Sequence, residues 1–540
     1  MAALAVTKRL PATVRRFFIG GLDERARVDQ RQGSGRSERY LMPANSFARQ
    51  LAYGCVCALI LLMLVGSAAT RVLAGSLLVT TTADDVTTNG LCSLREAIIN
   101  ANNDDSSGST DCAAGSGSDL ITFNVSGSIV LMSSLPAIIG DLTITGPGPA
   151  ADALTISGNN AVRVLKVNAG ARLTLNNLTV SNGLVTNDYG GGIRNSGTLL
   201  INNSRFVNNL TAGDTCCSGG GGISSEGVLT VTHSIVSGNS SALGAGINSN
   251  GPTALVDTQI NGNIASGSGG GVVIFTGGRA TIRGGEIFSN TTTSGTAGGG
   301  AGIYSADTLT LDGVSIYGNT TAHWGGGILN TGVLTVTRST LSANSATGTS
   351  GSGSALYTMG SLNVANSTIS RNFPGIIVYV AQGTLLMTNS TVSSNSGDGI
   401  YTGGTSVTLV NDTINQNAGY GIVNSMYAKN TIIANSGSGS NCLFANSGYT
   451  QGFNLSNDTS CLLTNTGDQQ GIPVLLGPLA DNGGPTLTHM PLPGSPAIDK
   501  GAGCSALDQR AAPRTGPACD VGSVEYGSFP PLLFLPLIRR

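Results

Sequence analysis

From about residue 190 onward, the hydrophobic residues fall into two short patterns that recur down the chain. One is a Gly-rich run closed by an aliphatic residue, at Ile193, Ile223, Ile247, Val272, Ile303 and Ile328, with degenerate copies at Ile400 and Ile422. The other is a hydrophobic residue, two free positions and an asparagine. Its copies end at Asn209, Asn239, Asn263, Asn290, Asn319, Asn344, Asn372, Asn395, Asn417 and Asn435. Consecutive members of this series lie 18 to 30 residues apart, the size of one turn of a three-sided parallel β-coil.

Aligning the copies on that asparagine exposes further columns. Eight positions earlier stand Ile201, Val231, Leu255, Ile282, Leu311, Val336, Val364, Met387, Leu409 and Tyr427; ten positions earlier the residue is mostly Leu. A two-residue spacing puts both columns on one side of a strand, facing the coil interior. Phe206, Val236, Ile260, Ile287, Ile316, Leu341, Ile369, Val392, Ile414 and Ile432, three before each asparagine, form another inward stack. Each coil then buries its apolar side chains only against its neighbours. The asparagines have a structural reason, since stacked side chains bond from coil to coil and Asn tolerates left-handed turns. Triplets such as Asn319-Thr320-Thr321 follow from the turn, and the glycine runs supply corners of positive φ.

Composition supports many short strands. Of 540 residues 79 are Gly, 40% are hydrophobic and only 10% charged, which separates the chain from charged disordered sequences. A net charge of −2 gives no electrostatic case for nucleic acid or an anionic membrane. Leu51–Gly66 is an apolar run preceded by Arg49, and Val72-Leu73-Ala74 offers small residues for cleavage. Residues 1–74 are therefore read as a leader with a signal peptide starting at Met42 and cleaved after Ala74; the alternative is a type II membrane anchor. Cys55 and Cys57 lie in that leader. The other eight cysteines form close pairs, Cys92/Cys112, Cys216/Cys217, Cys442/Cys461 and Cys504/Cys519, none with a zinc spacing. Three pairs would close short loops near the ends of the mature chain, and the state of Cys216 and Cys217 is left open.

The two repeat elements resemble those of the polymorphic outer membrane proteins. Cys92-Ser93-Leu94-Arg95-Glu96-Ala97-Ile98 resembles the CSLREA motif that opens a class of secreted bacterial β-helix proteins. Asp481-Asn482-Gly483-Gly484-Pro485-Thr486, Pro493–Asp499, Asp508-Gln509-Arg510 and Cys519–Gly522 are similar to the "choice-of-anchor" ending of that class. The resemblance covers residues 77 to 526. It implies an all-β, right-handed parallel β-helix (a solenoid) with disulfide-closed terminal caps, located outside the cell, and it carries no catalytic residues to transfer. The expected organisation is a leader (1–74), an N-terminal cap (75–118), the β-helix (119–440), last coils with a C-terminal cap (441–528) and an apolar tail (529–540). That tail, FPPLLFLPLIRR, is too short and too rich in proline for a spanning helix or the membrane barrel of the polymorphic proteins.

Enzymatic candidates are sparse. Polysaccharide lyases and glycoside hydrolases on this fold need paired carboxylates on neighbouring coils. Asp257, Glu286 and Asp312 occur on successive coils but in different columns. Arg283 and Asp312 share an outward column, as a surface ion pair, and His233 and Asp257 share a turn column. His323-Trp324, before a Gly corner, is a candidate contact for a sugar ring, and Asn103-Asp104-Asp105 could in principle hold calcium, although no loop has a calcium spacing. The sequence therefore reads as a secreted or surface-displayed, monomeric, non-catalytic β-helix of adhesin-like or envelope-structural type, contacting glycans or a neighbouring cell surface, with no cofactor and no metal. A polysaccharide lyase or glycoside hydrolase is the alternative. The residues expected to carry structure are Asn239, Asn263, Asn290, Asn319, Asn344, Asn372, Asn395 and Asn417 with Cys92, Cys112, Cys442, Cys461, Cys504 and Cys519.

Overall fold

The computed structural model describes residues 75–531, apart from 214–218, 295–297, 349–351, 404–405 and 445–448. The leader, Cys216, Cys217 and tail residues 532–540 lie outside the described residues. One coil shows how the repeat folds. Thr198–Asn202 is a strand, Asn203 turns the chain at φ 45°, and Arg205–Val207 is a second strand. Asn208 makes another left-handed turn before Leu210–Ala212, and Ile223–Ser225 completes the circuit. Every strand of the coil pairs in parallel with its counterpart one coil on. Four sheets result, here numbered I to IV in the order the coil visits them, with fifteen, fifteen, seven and twelve strands. The molecule is a right-handed parallel β-helix, the hand that crossovers between parallel strands take almost without exception.

The alternating pattern explains the core. Leu199, Ile201, Phe206 and Ile223 are completely buried, and equivalent residues stack from Leu77 to Leu463 in one continuous cluster. The last repeat is the exception. Ile414 pairs with Ile433, not Ile432, and Leu409 pairs with Ala428, not Tyr427. The alignment of that copy therefore slips by one residue, because this coil is shorter. Asn435 consequently occupies the left-handed turn (φ 53°) opposite Gln416, and it is exposed.

The asparagines from Asn209 to Asn417 form a buried ladder. In each after Asn209, the side-chain oxygen accepts both the backbone N–H and the side-chain N–H of the preceding asparagine, as Asn319 does from Asn290 at 3.0 Å each. Its own Nδ2 donates to a strand carbonyl, Ile287 O at 2.9 Å, and to Asn344 Oδ1 at 2.9 Å. The left-handed conformation expected of these residues belongs instead to the position just before them, for example Asn208, Gly238, Ser289 and Ala343. The glycine runs likewise divide their roles. Gly300 takes positive φ (62°). Gly302 does not, but a Cβ there would lie 2.5 Å from Gly327 O and 3.2 Å from the amide of Asn319. The second requirement is close packing against the ladder, not backbone freedom.

A second buried ladder follows the turn between sheets I and II. Ser204, Ser234, Ser339, Ser367 and Ser390 occupy it, each hydroxyl accepting a backbone N–H from the coil before and donating to a carbonyl two residues back. Thr258 holds the same place and donates to the carbonyl of Val256. Ser390 passes its own N–H to a carboxylate, Asp412 Oδ1, at 2.8 Å.

At the N-terminus, the CSLREA residues form an α-helix, Leu94–Asn103, across the open end of the coil. Ser93 and Glu96 make a capping box, and Leu94, Ala97 and Ile98 bury against the core. Arg95 pairs with Asp84 at 2.8 Å and donates to the carbonyls of Ser133 and Ser134. Cys92–Cys112 and Cys442–Cys461 are disulfides joined to the core near its two ends. Cys504–Cys519 is a third, in a different place. Its segment, from Leu476 to Ser528, lies along the outer face of sheet II as a strap. Gln509 Nε2 donates to Ser367 O and Thr368 Oγ1, Ser523 N to Thr413 Oγ1, and Gly522 N to Asn430 O. His489 Nε2 lies 2.7 Å from Ser393 Oγ, and burial pushes the imidazole pKa down. Strands Thr368–Ser370, Thr391–Ser393 and Thr413–Asn415 are buried on both faces for this reason, whereas Arg205–Val207 and Ile235–Ser237 keep one face half-exposed.

Candidate ligand-binding face

The carboxylates singled out from sequence are not brought together. Asp257 sits in the left-handed turn between sheets I and II (φ 46°), with His233 Nε2 3.6 Å away and both side chains more than half exposed. Glu286 begins a sheet II strand, beyond that turn, with its carboxylate 3.4 Å from Gln259 Nε2. Asp312 ends a sheet I strand in register with Arg283, but Arg283 is not its partner. Arg338, the turn residue of the following coil, reaches back to Asp312 at 2.5 Å, and Thr337 Oγ1 donates at 3.0 Å. The expected Arg283–Asp312 pair is thus replaced by a cross-coil pair from the turn.

The other candidates serve the scaffold. Asp104 is the left-handed C-cap of the helix, its carboxylate accepting from Gly117 N; Asp105 accepts from Ser107 N. His323 is buried, with Nδ1 3.0 Å from Gly298 O. Trp324 beside it is half-buried and does not stand alone.

Trp324 belongs to a row of rings on the outer face of sheet IV. Its indole stacks on Tyr357 with centroids 4.9 Å apart and planes 6° from parallel. Tyr379 follows at 5.0 Å, turned 82° to Tyr357, and Tyr401 at 5.0 Å, turned 78° to Tyr379. Tyr379 is thereby released from face-to-face packing with either neighbour. Tyr357, Tyr379 and Tyr401 are register partners on adjacent strands, so one ring is presented per coil. Tyr304 and Leu329 extend the row toward the N-terminus. Tyr357 is covered; Trp324, Tyr379 and Tyr401 keep partly exposed surface.

The same sheet carries a groove three coils earlier, of about 430 Å³. Its floor is Ser224 and Asn248, outward residues in register on neighbouring strands. Tyr189 and Leu243 form one wall, and Glu226, Asn250, Phe275 and Thr276 the other. The second wall has a sequence cause. Two residues separate Ser225 from Val228, and Ser249 from Pro252, but Phe275-Thr276-Gly277-Gly278 separate Ile274 from Arg279. This two-residue insertion raises Phe275 over the face. Asn248 is only 3% exposed as a residue, and it lines the groove floor. Beside the groove, Arg194 is shared between Asp188 (2.8 Å) and Glu226 (3.0 Å), and Arg163 also binds Asp188. Burial works to raise the Asp188 carboxyl, but the bonds from Arg163 and Tyr189 N–H and the two arginine charges outweigh it and hold the pKa down.

Beyond Trp324 itself, neither feature was identified from the sequence. The signal for the rings was present: they occupy the column directly after the aliphatic residue of sheet IV, at Tyr304, Tyr357, Tyr379 and Tyr401. The groove depends on an insertion that breaks the repeat, and no column exposes it.

One comparison with known proteins supports the fold. A family model described as a right handed beta helix region matches residues 246–438. Among solved structures, the pectate lyase Pel9A is similar over 85% of this chain and 98% of its own, with 14% identity and a TM-score of 0.35. That likeness is too loose to bear on chemistry. No curated protein matches.

Proposed function

We propose that this is an exported or surface-displayed, non-catalytic β-helix protein that contacts glycans through the outer face of sheet IV, in an adhesive or envelope role. The observation that carries this reading is the row Trp324, Tyr357, Tyr379 and Tyr401, one ring per coil, of which Trp324, Tyr379 and Tyr401 keep ring surface exposed. Aromatic faces bind the apolar face of a sugar while the surrounding hydroxyls and amides bind its polar edge. Against catalysis, Asp257, Glu286 and Asp312 lie apart, and His233, Gln259 and Arg338 respectively occupy them. Three disulfides fit an oxidising location.

The test is retention on immobilised polysaccharides, comparing the natural protein with a Trp324→Ala/Tyr379→Ala pair. The pair is expected to lose about 2 kcal/mol of binding, roughly thirtyfold in affinity, and Tyr379→Ala alone, at a partly exposed ring, should lose part of it with the melting temperature nearly unchanged. Equal retention by both proteins would remove sheet IV from the function.

A further inference from the structure

The groove at Asn248 and the ring row lie on one continuous sheet face, and they share one period. Sheet IV runs without a break from Ile223–Ser225 to Ile400–Thr402. Along it the rings repeat at 4.9 to 5.0 Å. That is the coil pitch, about 4.8 Å, and it is close to the advance per sugar of an extended, equatorially linked pyranose chain, whose successive sugars are turned over. A ligand lying across the strands, parallel to the helix axis, would therefore set about one sugar over each coil, with alternate faces toward the sheet.

Resting on the glycan-contact reading, we propose that sheet IV is an axial track for a single extended, uncharged glycan chain, one sugar per coil, running from the Asn248 groove to Tyr401. Three observations define the ligand. The groove floor offers the amide of Asn248, with which a sugar hydroxyl can bond as donor or acceptor. Its walls present two aromatic side chains, Tyr189 and Phe275, facing across a polar floor. The neighbouring charges are already neutralised, since Arg194 is divided between Asp188 and Glu226. No cation of that network is left over for the carboxylate of an acidic sugar, and Lys166 stands one coil outside the groove. A neutral chain loses nothing by this arrangement; an anionic one would have to break it.

The experiment uses the full chain and a cello-oligosaccharide series from dimer to octamer, with a malto-oligosaccharide series as the coiled control, by calorimetry. Affinity is expected to rise with each unit, the octamer binding at least tenfold tighter than the tetramer. Tyr189→Ala/Phe275→Ala should weaken the octamer about tenfold and leave the tetramer, seated on the rings, unchanged. Trp324→Ala/Tyr379→Ala should weaken both, and the malto series should bind at least tenfold more weakly at equal length. Binding that ignores chain length, or groove substitutions without effect on the octamer, would overturn the axial track while leaving glycan contact standing. Equal binding of the coiled series would overturn the extended geometry. Failure of every oligosaccharide and of an immobilised β-glucan to bind would remove the glycan reading as well.

Discussion

At the scale of single residues, the molecule spends its polar side chains on hydrogen bonds that the coil cannot otherwise make. Each tight turn leaves backbone groups inside, and the ladder residues satisfy them. Asp412 is the revealing variation. In the serine ladder its position would normally carry a hydroxyl; here one carboxylate oxygen accepts from Ser390 N–H and the other from Val410 N–H at 2.9 Å. Burial pushes its pKa well above the ordinary carboxyl value, with those two bonds and the charge of Arg514 offsetting only part of the effect. The folded chain therefore holds this proton to higher pH than the unfolded chain does. Stability from this group is present at low pH and is lost as pH rises from the unfolded pKa through the folded one. Asp412→Ser restores the ladder hydroxyl without the buried charge. The gain in melting temperature should be larger at pH 7 than at pH 4, and a gain independent of pH would show that Asp412 does not titrate in this way.

At the scale of elements, the coil is specified by columns, and columns were what the sequence displayed. The inward stacks through Ile201 and Phe206 were legible because each recurs at a fixed offset from the ladder asparagine, and the stack through Ile223 because it closes each glycine run. Features outside the repeat were not. The helix Leu94–Asn103 carries its own signal in the capping pair Ser93 and Glu96, yet the surrounding pattern reads as strands. The strap crosses to its contacts over more than a hundred residues of sequence, as Gln509 does to Ser367, and no local pattern encodes such a partner. The slip at Asn435 arose because a shortened coil moves the register by one position while the motif still matches. The ladder itself yields a sharp expectation. Asn319→Ala would strand the N–H of Asn290 in the interior and take a donor from the carbonyl of Ile287 and from the oxygen of Asn344, which keeps the backbone N–H of residue 319. At about 1–3 kcal/mol for each unsatisfied group, the loss should be on the order of 3–5 kcal/mol after relaxation. Asn319→Asp should recover part of it, since a carboxylate accepts but cannot donate. Denaturant unfolding measures both, and a cost below about 1 kcal/mol for the alanine variant would show that water replaces the ladder.

At the scale of the whole molecule, a β-helix is a ruler: every outward column is a line of equivalent positions at one spacing. Most columns here are Thr, Ser and Asn, and the strap covers part of sheet II. Sheet IV differs, because it gathers the rings and the groove on one face. Many weak, regularly spaced contacts give firm attachment to a repeating polymer without cutting it, which is why retention and cleavage are the outcomes that divide the two roles. The most direct measurement incubates the purified protein with a panel of neutral and acidic polysaccharides and follows bound protein together with new reducing and unsaturated ends. Retention on a neutral, extended polysaccharide with no new ends is the expected result. Release of product, abolished by Asp257→Asn or Glu286→Gln, would contradict it and make the protein an enzyme.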